Sequence, residues 1–268
     1  MPEGPEVRKI SESLAMYISN KTLLSFDILS GRYQKHGLPQ NFDLLKSSLP
    51  KPVAGAGCHG KFIFIIFSDG TSIWCTLGMT GTWSEEEDKH SRVRFKFSDG
   101  SAYFSDMRNF GTLRFCETRS GLIEKIKSLG PDMLSEDVSD VKFFERVRSC
   151  NKKTVAQALM DQSVVAGVGN YLKAECLYFS KISPHRACDS LSDEELSRLN
   201  KSIKNTIRAS YESGGATIQN YKTFEGNIGK YSRRFMVYNQ KEDLDGNPVI
   251  KEKTRDGRVT HWVPKIQR

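Results

Sequence analysis

The sequence predicts an α+β, multidomain fold: an N-terminal β-sandwich flanked by an N-terminal helix, then a helical domain that ends in a β-hairpin. Three observations predict it. Apolar residues recur at helical spacing over residues 5–18. Two strand-rich runs then share the hairpin signal Phe-Ser-Asp-Gly, and helical periodicity returns after Gly130-Pro131. The chain has 268 residues, 38% of them hydrophobic, which is enough for two folded domains with real cores.

In the first helix, Val7, Ile10, Leu14, Tyr17 and Ile18 form one apolar stripe. Pro5 suits the first helical position and Glu6 the positive end of the helix dipole. From about residue 21 to residue 116 the period changes to that of strands. "FIFIIFSDGTSIW" (62–74) and "VRFKFSDGSAYF" (93–104) each place Asp-Gly between β-rich runs. Val93, Phe95 and Phe97 alternate with Arg94 and Lys96, which predicts one buried and one basic face.

Gly130-Pro131 breaks the pattern and an acidic stretch follows, so the boundaries are read as 1–130, a linker at 131–135, 136–221 and 222–268. In the helical part, Phe143, Phe144 and Val147 share a face, as do Val155, Leu159 and Met160. Ser192 and Glu195 make a capping box for a helix continued by Leu196, Leu199, Ile203 and Ile207. At the end, "PVIKEKT" and "RVTHWV" flank Arg255-Asp256-Gly257, which reads as a hairpin with Arg258 just past its turn.

The net charge is +8, and residues 222–268 carry 11 Lys/Arg against 6 Asp/Glu. A polyanionic partner is compatible with this, though basic charge alone does not require one. No stretch is long and apolar enough to span a membrane, and the acidic N-terminus does not read as a secretory signal. The six cysteines form no CxxC pair and are expected to be free thiols of an intracellular protein.

Three constellations could carry chemistry. In "MPEGPE", removal of Met1 would expose the Pro2 nitrogen as a secondary amine of low basicity, held rigid by its ring, with Glu3 and Glu6 within one turn. Such an amine attacking an aldehyde-like carbon yields an iminium, an electron sink, and two carboxylates could divide acid and base roles. On spacing alone the plainer reading, a capped first helix, is preferred. "AGVGN" (166–170) leads into a helical pattern, where backbone amides can bind phosphate and glycine permits close approach. By itself it reads as an ordinary helix–helix turn. "LGMTG" (77–81) and "DMRNFG" (106–111) offer Met79, Arg108 and Phe110 as apolar wedges and an arginine for entering a base stack, or else as core residues beside a surface arginine.

Taken in this order, with "GKFIF" (60–64) and "AGVGNYLKAE" (166–175), these segments resemble the Fpg/Nei family of bifunctional DNA glycosylases over the whole chain. The resemblance implies a helix-two-turn-helix module in the helical domain and catalytic roles for Pro2, Glu3, Glu6 and Lys61. Pro2 would be the nucleophile at C1′, Glu3 the acid that assists ring opening and proton transfer, Glu6 a supporting carboxylate, and Lys61 a contact to the DNA backbone near the lesion. It implies DNA binding by Met79, Arg108 and Phe110, which would fill the gap left by a flipped base, and by Asn170 and Arg258, which would grip phosphates. The partner implied is damaged double-stranded DNA, in a basic cleft, bound by a monomer.

Bacterial members of the family carry a C-terminal zinc finger with two CxxC pairs, whereas no cysteine follows Cys188 here and His261 alone cannot make a four-ligand site. No cofactor or metal is therefore expected, and the end of the chain resembles the zincless finger of the Nei-like branch. The hairpin would be held by Trp262, Val263, Ile250 and Phe235. Thr76 and Asn109 also depart from the family pattern, at positions where many members carry histidine and a second arginine. The branch favours oxidised pyrimidines, hydantoins and abasic sites. An 8-oxoguanine-preferring relative and a catalytically silent DNA-binding protein remain open. A metal-dependent nuclease would want a carboxylate or histidine cluster that the sequence does not offer.

Overall fold

The computed structural model describes residues 2–216 and 229–268. Met1 and the greater part of "GGATIQNYKTFEGN" (214–227), the segment expected to face the lesion, lie outside the described residues. The chain divides into two compact units. One comprises residues 1–2, 6–127 and 214–229; the other comprises residues 3–5, 128–213 and 230–268.

Helix α1 (Gly4–Ile18) belongs to the first unit from Glu6 onwards. That unit's strands are β1 (Thr22–Ile28), then β2 (Lys51–His59), β3 (Phe62–Phe67), β4 (Ser72–Thr76), β5 (Gly81–Ser84), β6 (Ser91–Phe97), β7 (Ser101–Asp106) and β8 (Thr112–Cys116). Short helices α2 (Arg32–His36) and α3 (Phe42–Ser47) interrupt the strands, and α4 (Arg119–Lys127) follows them. The sequence reading passed over all three, since five- to nine-residue helices leave too few turns for a periodic signal.

The strands run in the order β5-β7-β6-β1-β2-β3-β4-β8. The β1–β2 seam is only two residue pairs long, Thr22↔Pro52 and Leu23↔Lys51, so two four-stranded halves hinge there. Their inner faces share one core: Trp83, Phe95 and Phe104 from one half, Ile63, Ile65, Phe67 and Phe115 from the other, closed by Val7, Ile10, Leu14 and Ile18 of α1. That is the expected sandwich. Both Asp-Gly segments turn their hairpins: Phe67 N donates to Thr71 O and Phe97 N to Gly100 O, with Gly70 and Gly100 at φ +85° and +78°.

The second unit contains α5 (Asp140–Arg148), α6 (Val155–Met160), α7 (Asn170–Ser180) and α8 (Asp193–Glu212), then β9 (Ile250–Lys253) and β10 (Val259–Trp262). The Ser192–Glu195 capping box forms at the start of α8, and a second, between Thr154 and Gln157, starts α6. Strands β9 and β10 pair antiparallel from Val259↔Lys253 to Trp262↔Ile250.

The hairpin's supports differ in part from those expected. Val263 is buried with Ala174 and Val237, and Val249 packs against them, but Ile250 is exposed. Phe235 instead stacks in an aromatic group with Tyr171, Tyr231 and Tyr238 at centroid distances of 5.2–5.8 Å. Strand alternation explains the exchange, since Val249 and Ile250 point to opposite faces.

Candidate functional site

Helix α7 begins where Gly169 ends an extended segment, and two of its first amides hold a carboxylate from the chain's other end. Tyr171 N donates to Glu3 Oε1 at 2.9 Å and Leu172 N to Glu3 Oε2 at 3.2 Å, while Gly4 N donates to Gly167 O at 2.8 Å. A helix N-terminus presents unpaired amides and a positive dipole end, which suits an anion. The glycine at 169 was read as room for a phosphate. The group that uses the room is Glu3: a Cβ on Gly169 would lie 2.2 Å from the Glu3 carboxyl carbon. Pro2 is buried, and the residues after it are thus fixed by backbone and side-chain bonds.

Glu6, also buried, accepts from Ala216 N at 2.6 Å, and Gly215 is at φ +87° with no room for a side chain beside that carboxylate. Its observed partner is therefore the entry to the 214–227 segment. Lys61 lies in the two-residue turn Gly60-Lys61 between His59 and Phe62, one residue before strand β3. It is half-buried, with Gly60 at φ +56°.

Segments 77–81 and 106–111 form one structure within the first unit. Gly78, at φ +58°, packs so tightly on the 106–111 segment that a Cβ would sit 2.7 Å from the Phe110 carbonyl carbon. Asp106 is 1% exposed and organises the loop after it: its carboxylate accepts from Thr80 Oγ1, from Arg108 N at 3.1 Å and from Gly111 N at 2.7 Å. Arg92 Nε donates to the Asp106 carbonyl at 2.7 Å. Arg108 and Phe110 are both exposed, Phe110 by 53%, and the guanidinium lies 4.9 Å from the ring centroid. Met79 is half-buried. The two departures from the family pattern have local reasons. Asn109 sits at φ +56°, a conformation asparagine tolerates, and its Oδ1 accepts from Arg32 N, while the Thr76 hydroxyl pairs with Thr112 at 2.7 Å.

In the second unit, Asn170 Nδ2 donates to the Val259 carbonyl at 2.9 Å, tying the first residue of α7 to the hairpin, and Arg258 is exposed. Buried Glu175 accepts from Met236 N, Val237 N and Tyr238 N at 2.8–3.0 Å and so docks the chain that leads into the finger. Burial pushes its carboxyl above the ordinary value, against the pull of those three donors.

His261 is buried against the Tyr238 ring at 4.9 Å. Burial, with Lys251 and Lys173, lowers it to about 4, so it is neutral. Among the described residues no group of three or more His, Cys, Asp or Glu could hold a metal. No helix among them is long and apolar enough to cross a membrane, and none of the six cysteines forms a disulfide.

Sequence reasoning missed Asp106 and Glu175, as well as Lys173 of α7 and Asp256 of the turn, which pair at 2.5 Å. A lysine and a glutamate set among the apolar residues of "NYLKAECL" were the available signal for Lys173 and Glu175, and an aspartate two residues before each exposed arginine was the signal for the turns.

Known proteins match this chain along its length. Models of the formamidopyrimidine-DNA glycosylase N-terminal domain, H2TH domain and C-terminal domain match residues 1–113, 129–222 and 230–268. A formamidopyrimidine-DNA glycosylase of Shouchella clausii is 31% identical over 100% of this chain and 99% of its own length. Among solved structures, a Lactococcus lactis Fpg mutant in complex with Fapy-dG-containing DNA is 28% identical, with all of both chains covered and a TM-score of 0.88. The wild-type Lactococcus lactis protein with an oxidised-pyrimidine-containing DNA is 27% identical over all of both chains, with a TM-score of 0.86. Matched along its whole length in sequence and in fold, the chain belongs to the formamidopyrimidine-DNA glycosylase family.

Proposed function

We propose that this chain excises oxidised bases from duplex DNA by attack of the Pro2 amine on C1′ and then cuts the strand by β,δ-elimination. As a member of its family the protein is a DNA glycosylase and AP lyase of base excision repair, and its partner is damaged DNA. The observation that supports the finer reading best is the fixing of Glu3 and Gly4 on the α7 end, because it holds the residue next to the nucleophile still.

In the proposed reaction the Pro2 nitrogen forms a bond to C1′ as the base leaves with the electrons of the glycosidic bond. Glu3 takes up the proton that the attacking amine loses and delivers it to the ring oxygen, and the C1′–O4′ bond breaks to leave an iminium. Loss of a C2′ proton expels the 3′ phosphate, and a second elimination expels the 5′ phosphate. Water then hydrolyses the iminium and frees Pro2. Lys61 and Asn170 bind flanking phosphates, Arg258 grips the phosphate at the lesion, and Glu6 supports the entry to the 214–227 segment. Met79, Arg108 and Phe110 fill the space of the everted nucleotide, whose unstacking costs roughly a few kcal/mol.

Oxidised pyrimidines, hydantoins and abasic sites are the proposed substrates. A ring-opened purine reading is favoured by the Fapy-dG complex of the Lactococcus lactis relative, and a lesion panel separates the two. The reading requires a free Pro2 nitrogen. Borohydride should trap a protein–DNA adduct with the natural chain and not with Pro2→Gly; full-rate nicking by Pro2→Gly would sink the nucleophile. Gly169→Ala, whose methyl would occupy the place of the Glu3 carboxylate, should lower kcat by about 100-fold or more. Chelators should leave the rate unchanged.

A further inference from the structure

Lys173 has a fully buried side chain, on the α7 face one turn after Asn170. Its ammonium pairs with Asp256 Oδ2 at 2.5 Å, and the Asp256 side chain is itself 2% exposed. The other Asp256 oxygen accepts from Thr254 Oγ1 at 2.5 Å and from Arg258 N at 3.4 Å. Thr254 reaches back to the Arg258 carbonyl and pairs with the buried Thr260 hydroxyl at 2.6 Å. Helix and hairpin are thus joined twice, by Lys173 to Asp256 and by Asn170 to Val259, and Arg258 lies between the two hairpin partners. A buried ion pair is a costly way to stabilise a fold, but it defines a register, since shifting the turn by one residue would strand both charges.

We propose that Lys173 is a positioning residue for the DNA reaction: paired with Asp256, it locks the hairpin turn onto helix α7 and so presents Arg258 to a phosphate, beside Asn170 and without a metal. The assignment rests on the reading of Arg258 and Asn170 as phosphate ligands. Two further observations support it. Lys173 follows the two residues whose amides hold Glu3, and its charge interacts with both Glu3 and Arg258. Burial lowers the ammonium from its ordinary value while Asp256 and then Glu3 pull it back, so the cation depends on its anionic neighbours.

The test is a double-mutant cycle in the full chain, read as affinity for a duplex containing a stable abasic-site analogue and as the slope of that affinity against salt. Arg258→Gln should weaken binding about fivefold at physiological salt and reduce the slope by about one, the worth of one phosphate contact. Asp256→Asn should weaken binding by a similar factor in the natural background and have no further effect in the Arg258→Gln background. The same holds for the doubly neutral Lys173→Met/Asp256→Leu chain, which leaves no charge stranded and keeps the test alive if Asp256→Asn fails to fold. Natural affinity and slope in that doubly neutral chain, or losses that simply add to those of Arg258→Gln, would overturn the positioning role while leaving the phosphate reading intact. Natural affinity in Arg258→Gln itself would overturn both.

Discussion

The 106–111 loop of the first unit and the hairpin turn of the second solve one problem in two ways. Each displays an exposed arginine, Arg108 or Arg258, two residues after a buried aspartate, Asp106 or Asp256. In each, the aspartate accepts from the arginine's own backbone amide, at 3.1 Å and 3.4 Å. They differ in what balances the buried charge. The Asp106 carboxylate is met by a hydroxyl and two amides, all neutral. Asp256 is met by the buried ammonium of Lys173. The first loop is anchored to strands that already have a large core under them, so neutral hydrogen bonds suffice to shape it. The hairpin has only four-residue strands and a small apolar cluster, and two-stranded hairpins are marginal alone. It therefore depends on a specific polar anchor.

If that contrast is right, the same lesion in the two aspartates has unequal costs. Asp256→Leu strands a buried cation and should cost about 3–5 kcal/mol in equilibrium unfolding, with most of it returned when Lys173→Met is added. A cost unchanged by the second substitution would mean that the pair is not the anchor.

The hairpin also carries a pH liability. His261 is held neutral at about 4 in the folded chain and takes up a proton near 6.5 when unfolded. Its contribution is complete above about pH 6.5 and is lost as the pH falls towards 4, by roughly 3 kcal/mol in all. Thermal unfolding followed across that range should show the loss, and His261→Phe should flatten it. An unchanged profile in His261→Phe would remove the histidine from the account.

Smaller effects belong to the neutral loop. Asp106→Asn keeps an acceptor but cannot serve all three donors, so about 1–2 kcal/mol is expected. It should appear as faster amide exchange at Arg108 and Gly111, with the second unit unaffected. Thr80→Val removes a single donor and should cost about 1 kcal/mol. If Asp106→Asn proved as damaging as Asp256→Leu, the distinction between a hydrogen-bonded and an ion-paired aspartate would fail.

Much of this was legible in the sequence, because it rests on local periodicity and turn chemistry. The stripe from Val7 to Ile18, the two Asp-Gly hairpins, the Ser192–Glu195 box and the turn at Arg255-Asp256-Gly257 are each written within a dozen residues, and each forms as written. The resemblance carried by "MPEGPE", "LGMTG" and "AGVGN" named the family before any contact was known. Only the tertiary structure decided the partners of the buried charges. Glu3 meets the amides of residues 171 and 172, Glu6 meets residue 216, and Lys173 meets residue 256. These pairings span 83 to 210 positions. A charge can be buried only where the fold supplies its counterpart, and a sequence states that a charge exists without stating what it will face.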